Sequence, residues 1–104
     1  EQLPVGLQPP FIAAVAHRFR ARLLADDPGA DREFATAGRL LRELDLVFDL
    51  AVVQLEHGEW LVAQGRFQDA EPLLGQAREA FDRLRAAPWL ARLDSVDIRA
   101  RVPA

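Results

Sequence analysis

The residues with the most chemistry to offer are two histidines, His17 and His57, and the carboxylates near them. His57 lies between Glu56 and Glu59, a combination that invites a metal site or acid–base catalysis. Ligands that share a metal on one helix sit at i, i+3 or i+4. Glu56 and His57 are adjacent and diverge by about 100° around a helix. The pattern reads as a packed or half-buried histidine, and His17 reads the same way. Asp26, Asp27 and Asp31 resemble the start of a calcium loop, but an EF-hand needs ligands at fixed alternate positions and a closing Glu, and Pro28 interrupts them. Helix capping accounts for that cluster. Gly29, Gly38, Gly58, Gly65 and Gly75 stand singly with no strand before them, so no phosphate cradle is spelled out. Ser95, the only serine, has no histidine near it in sequence, and there is no cysteine. No catalytic residue, metal ligand or cofactor is expected, and the chain is not expected to be an enzyme.

Composition narrows the remaining classes. The 104 residues allow one domain, half of them apolar. Net charge is −3 with both signs interspersed, so no surface suited to a nucleic-acid backbone is expected. No apolar run approaches the roughly 18 residues of a membrane span, and a cytoplasmic location is expected. Met is absent, as are Lys, Asn and Tyr, and all 13 basic residues are Arg. Coding bias of that kind points to a GC-rich bacterial genome, and the missing Met points to a piece of a longer chain.

The elements that would position these residues are helical. Residues 1–10 hold three prolines and a glycine and read as an extended lead-in, with Pro10 suited to a first helical turn. Apolar spacing predicts helices over about 11–25, 28–44, 46–64, 67–85 and 89–98, followed by a tail over 99–104. Asp27 is placed to cap the second helix and Asp45 the third, and Gly65 to close the third. The second helix carries the stripe Ala30, Phe34, Ala37, Leu41, Leu44. The fourth carries Ala70, Leu74, Ala77, Phe81, Leu84. A 4-3-4-3 spacing lies on one face only in a helix. The third helix is apolar on two sides, with Phe48, Val52 and Leu55 on one and Leu50, Val53 and Leu61 on the other, so neighbours on both sides are expected.

The two stripes coincide when the chain is shifted by about 40 residues, a period that signals stacked helix pairs. Leu50-Ala51 then falls on Leu90-Ala91, and His17 on His57. The expected fold is all-α: antiparallel helix pairs stacked as a short solenoid of about two units and a terminal helix.

Gly58, Leu61, Gly65, Phe67, Ala70, Leu74 and Ala77 resemble the tetratricopeptide repeat pattern, in which a small residue lets paired helices approach and a glycine turns the chain. Arg18 occupies the place of Gly58 in the first unit, which departs from that pattern. The stretch LAVVQLEHGEWLVAQGRFQDAEPLLGQAREAFDRLRAAPWLARL, residues 50–93, with PPFIAAVAHRFRAR before it, is similar to the repeat region near the C-terminus of large multidomain bacterial regulators. These are typically actinobacterial, with an ATPase module and a nucleotide-cyclase or LuxR-type DNA-binding domain. The resemblance implies a docking or sensing platform in a signalling or transcriptional regulator. It implies a concave groove lined by Val52, Leu55, Glu59, Val62 and Ala63 and, from the first unit, by Ile12, Val15, Phe19, Arg22 and Leu23. Such a groove suits an amphipathic helix or extended peptide. A protein or peptide partner is therefore expected, with self-association possible because arrays this short leave apolar ends open. A small apolar ligand held between helix pairs, or a purely structural homodimer, are the alternatives. Trp60 and Trp89 are expected to pack between units.

Overall fold

The computed structural model describes residues 9–101, and over them the chain forms five α-helices and no strand: α1 (Pro9–Leu24), α2 (Gly29–Glu43), α3 (Val47–Ala63), α4 (Phe67–Arg83) and α5 (Ala87–Arg101). Pro9 and Pro10 belong to the first turn of α1 and not to an extended lead-in, because a missing N–H costs nothing there. Residues 1–8 of that expected lead-in and 102–104 of the tail lie outside the described residues. α5 runs to Arg101, beyond the expected end near Ile98. No described helix is long and apolar enough to cross a membrane.

Each helix exists because it has a face to bury. Ala30, Phe34, Ala37 and Leu41 of α2 are buried, as are Ala70, Leu74, Ala77 and Phe81 of α4. The fifth position of each stripe departs from expectation: Leu84 is exposed and Leu44 half-buried. Both cap the C-terminus of their helix, where the chain leaves the helical path.

That exit has one geometry three times over. Asp45 (φ 58°), Gly65 (φ 77°) and Arg85 (φ 55°) are left-handed. In each case the residue's N–H bonds back three residues and the next N–H bonds back five: Asp45 to Arg42 and Leu46 to Leu41, Gly65 to Val62 and Arg66 to Leu61, Arg85 to Asp82 and Ala86 to Phe81. These are Schellman closures, which satisfy the carbonyls a helix end leaves open. Asp45 therefore closes α2 and does not cap α3, correcting the expectation; Leu46 precedes α3 without a side-chain cap. Ala25 (φ 49°) is also left-handed, so residues 25, 45, 65 and 85 mark the chain at equal spacing. The 40-residue offset thus appears in the backbone as well as in the apolar pattern. Asp27 does act at the start of α2: its Oδ1 accepts the Gly29 N–H at 2.7 Å.

α1 packs on α2 and α3 on α4, α2 joins the two pairs through α3, and α5 rests on α4 and α3. One core gathers Phe34 and Leu41 with Ala14, Ala21 and Val53; the other gathers Leu55, Leu74 and Phe81 with Leu93 and Val96. Trp60 touches both and donates its indole N–H to the Ala25 carbonyl, so it ties the pairs together. Trp89 belongs to the second core, stacked on Phe81 at 5.6 Å. Gly58 allows α3 and α4 to approach: a Cβ there would sit 2.5 Å from Leu74 Cδ2.

Candidate functional site

α3 is the helix through which the rest of the molecule is wired. From Ala51 to Gly58 every residue is buried, including the polar Gln54, Glu56 and His57. Buried polar groups need partners, and each of these three finds one on a different helix. Gln54 Nε2 donates to Gln76 Oε1 of α4 at 2.6 Å. Glu56 accepts two parallel bonds from Arg18 of α1, Nε to Oε1 and Nη2 to Oε2, both 2.6 Å. His57 Nε2 lies 2.6 Å from Asp31 Oδ1 of α2, with its ring stacked on Phe34 at 5.3 Å. A fourth contact comes from the rim, where Arg92 of α5 grips Glu59 at 2.8 and 2.6 Å. Among the described residues no buried side-chain nitrogen or oxygen lacks a partner.

These contacts explain the electrostatics. The bond to Glu56 raises the Arg18 pKa against the opposing effect of burial, and Glu59 does the same for Arg92. Burial works against the Asp31 carboxylate, but hydrogen bonds and charge from His57 and Arg66 outweigh it and hold Asp31 below its ordinary value. Asp31 is thus an inter-pair partner for α3 and not the capping residue expected of it. Glu33, bonded to His17 at 2.7 Å and facing Arg20, is likewise held low, chiefly by the His17 bond. Both histidines therefore grip α2 from opposite sides, His17 from α1 and His57 from α3. Among the described residues no group of three or more histidine, cysteine, aspartate or glutamate side chains is arranged to hold a metal ion. Ser95 Oγ donates to the Ala91 carbonyl of its own helix.

The ten residues expected to line one groove divide. Ile12, Val15, Phe19 and Leu23 are 52%, 49%, 60% and 70% exposed, forming an apolar stripe along the outer face of α1, with Arg22 exposed beside them. Their counterparts on α3 are closed over: Val52 is 7% exposed and Leu55 fully buried in the second core. Val62 packs partly against that core, Glu59 is held by Arg92, and Ala63 is exposed at the helix end. Leu55 therefore cannot line an open groove, because α4 and α5 cover it.

A real depression of about 210 Å³ does lie between α1 and α3, and only Val15 and Val52 of the ten contribute to it. Phe11, Ala14 and Arg18 complete the α1 wall, Phe48, Asp49 and Val53 the α3 wall, and Leu41 and Trp89 close it from α2 and α5. Arg18 reaches across it to Glu56 and joins α1 to α3 through a long side chain. No sequence signal flagged Arg18, Asp49 or Phe11 as lining residues, since each depends on the relative placement of helices more than 30 residues apart.

Comparison with protein-family models, with curated proteins and with solved structures finds no significant match for this chain.

Proposed function

We propose that this chain is a non-catalytic protein-interaction unit, a short tetratricopeptide-like solenoid that serves as a docking platform within a bacterial signalling or transcriptional regulator. The observation that carries this reading is the apolar stripe of α1. Four large apolar side chains at helical spacing stand 49–70% exposed, and contiguous exposed apolar surface marks a contact for another macromolecule. An amphipathic helix or extended peptide seats on such a face through its own apolar stripe. α1 has no acidic residue, and with Arg18 paired to Glu56 and Arg20 to Glu33 it presents Arg22, exposed beside the stripe, so a partner with an acidic flank matches it best. The left-handed closures at residues 45, 65 and 85 support the solenoid, since repeated turns propagate a repeated stacking geometry. The similarity of residues 50–93 to regulator repeats supports the setting, in the bacterial cytoplasm.

The test is a photo-crosslinking amino acid placed at position 19, with position 68, a polar exposed site on α4, as control. Expression in a host cell that carries the parent protein should give a discrete adduct from position 19 and none from position 68. Absence of any adduct from position 19 would overturn the reading. An adduct of twice the chain mass identifies a second copy as the occupant and favours homodimerisation.

A further inference from the structure

The depression between α1 and α3 has a chemical character the α1 stripe lacks. Its walls are mostly apolar, from Phe11, Val15, Leu41, Phe48, Val52 and Trp89, and two charged residues line it, Arg18 and Asp49. Arg18 is already neutralised by its two bonds to Glu56. Asp49 is half-buried and makes no hydrogen bond or ion pair among the described residues. It lies in the first turn of α3, where a carboxylate also meets the positive end of the helix but makes no side-chain capping bond. Two guanidinium groups, Arg18 and Arg92, face three carboxylates here, Glu56, Glu59 and Asp49. Arg18 is paired with Glu56 and Arg92 with Glu59; Asp49, near enough to help raise the Arg18 pKa, has no ion-pair partner of its own among the described residues. Trp89, of this wall, already carries a cation on its ring from outside the depression: the Arg92 guanidinium carbon sits 5.6 Å from the Trp89 centroid.

We propose that this pocket binds an organic cation with an apolar stem, a primary ammonium or guanidinium group, with Asp49 as its counter-ion. The stem lies against Val15, Val52 and Phe48, and the charged head meets Asp49 where little water competes. The cavity accommodates one lysine or arginine side chain or a free alkylamine of that size. Val15 belongs to both the α1 stripe and this pocket, but Asp49 lines only the pocket, so loss of its charge should leave crosslinking from position 19 unchanged.

The experiment is an NMR titration of the isotope-labelled chain with n-hexylammonium chloride, and with n-hexanol as the neutral counterpart. The Trp89 indole and Asp49 amide signals should shift saturably with the ammonium salt, with hexanol at least tenfold weaker. Asp49→Asn should weaken the ammonium by tenfold or more, with its thermal melt showing that it folds. Val15→Lys, at a half-exposed position, supplies the cation within the chain and should abolish binding without unfolding. Equal shifts from hexanol, undiminished binding by a folded Asp49→Asn variant, or no saturable shift at all would each overturn the proposal. A peptide with one arginine between leucines, compared with its citrulline analogue, identifies the source. Arginine-dependent binding at least tenfold tighter than hexylammonium assigns the cation to a protein partner, and comparable or weaker binding assigns it to a free amine.

Discussion

Residues 12, 15, 19, 22 and 23 of α1 and residues 52, 55, 59, 62 and 63 of α3 hold the same positions in two units 40 residues apart, yet meet opposite surroundings. On α3 the face is sealed by α5, with Leu93 and Val96 in the shared core and Arg92 clamped on Glu59. On α1 the face is open, and α1 reaches α3 through the Arg18–Glu56 pair and not by close packing. α5 lies over that face of α3, and among the described residues no helix lies so close over the same face of α1, which separates a helix that is core from a helix that is surface. Unit position alone does not make a residue part of a binding face; whether a further helix covers it does.

The comparison breaks first if its two sides cost the same to truncate. Leu55→Ala should lose about 2–5 kcal/mol in urea unfolding, as large-to-small changes in a sealed core do. Val15→Ala, at the equivalent but half-exposed position, should lose no more than about 0.5 kcal/mol. Similar losses would mean that the α1 face is covered. Next in size, Gly58→Ala forces a methyl onto Leu74 and should cost about 1–3 kcal/mol. Gly38→Ala, whose added carbon would find its nearest neighbour 3.7 Å away, at Leu50 Cδ1, should be neutral or mildly stabilising, because alanine favours helix over glycine. A tolerated Gly58→Ala would show that α3 and α4 have room to part.

Arg18→Ala leaves the buried Glu56 without its partner and should cost about 1–3 kcal/mol. The double variant Arg18→Ala/Glu56→Gln should cost less than the two single changes added together, and strict additivity would dismiss the pair as a link between α1 and α3. The smallest effect is one of pH. A carboxylate held below its ordinary pKa, near 3.8 for Asp31, stabilises the fold fully above that value and loses the contribution as pH falls through the lowered one. Asp31→Asn should therefore narrow the difference in unfolding free energy between about pH 7 and pH 3. An unchanged difference would remove the His57 and Arg66 contacts from the account.

Much of the architecture was legible because helical periodicity is local: the stripes Ala30 to Leu41 and Ala70 to Phe81 mark one face each whatever surrounds them. Their fifth members misled, since Leu44 and Leu84 sit where a Schellman closure turns the chain, and only Gly65 among the four left-handed residues advertises that geometry. Ala25, Asp45 and Arg85 carry no such signal, and from its type alone Asp45 reads as a cap for the helix that follows. The candidate site was less legible. Gln54, Glu56 and His57 are buried because Gln76, Arg18 and Asp31 reach them from other helices, and polar pairing across 22 to 38 residues leaves no periodic trace. Leu55 and Val15 read alike in sequence; what covers one and leaves the other bare is the position of α5.

The absence of native cysteine allows that difference to be measured directly. Single-cysteine variants Ile12→Cys and Val52→Cys place a thiol at equivalent positions, half-exposed on α1 and buried on α3. Their reaction rates with an aromatic disulfide reagent report which face is open in the folded chain. The open-face account predicts that Ile12→Cys reacts at nearly the rate of a free thiol, while Val52→Cys stays protected until denaturant unfolds it. Equal rates, or a protected residue 12, would contradict it.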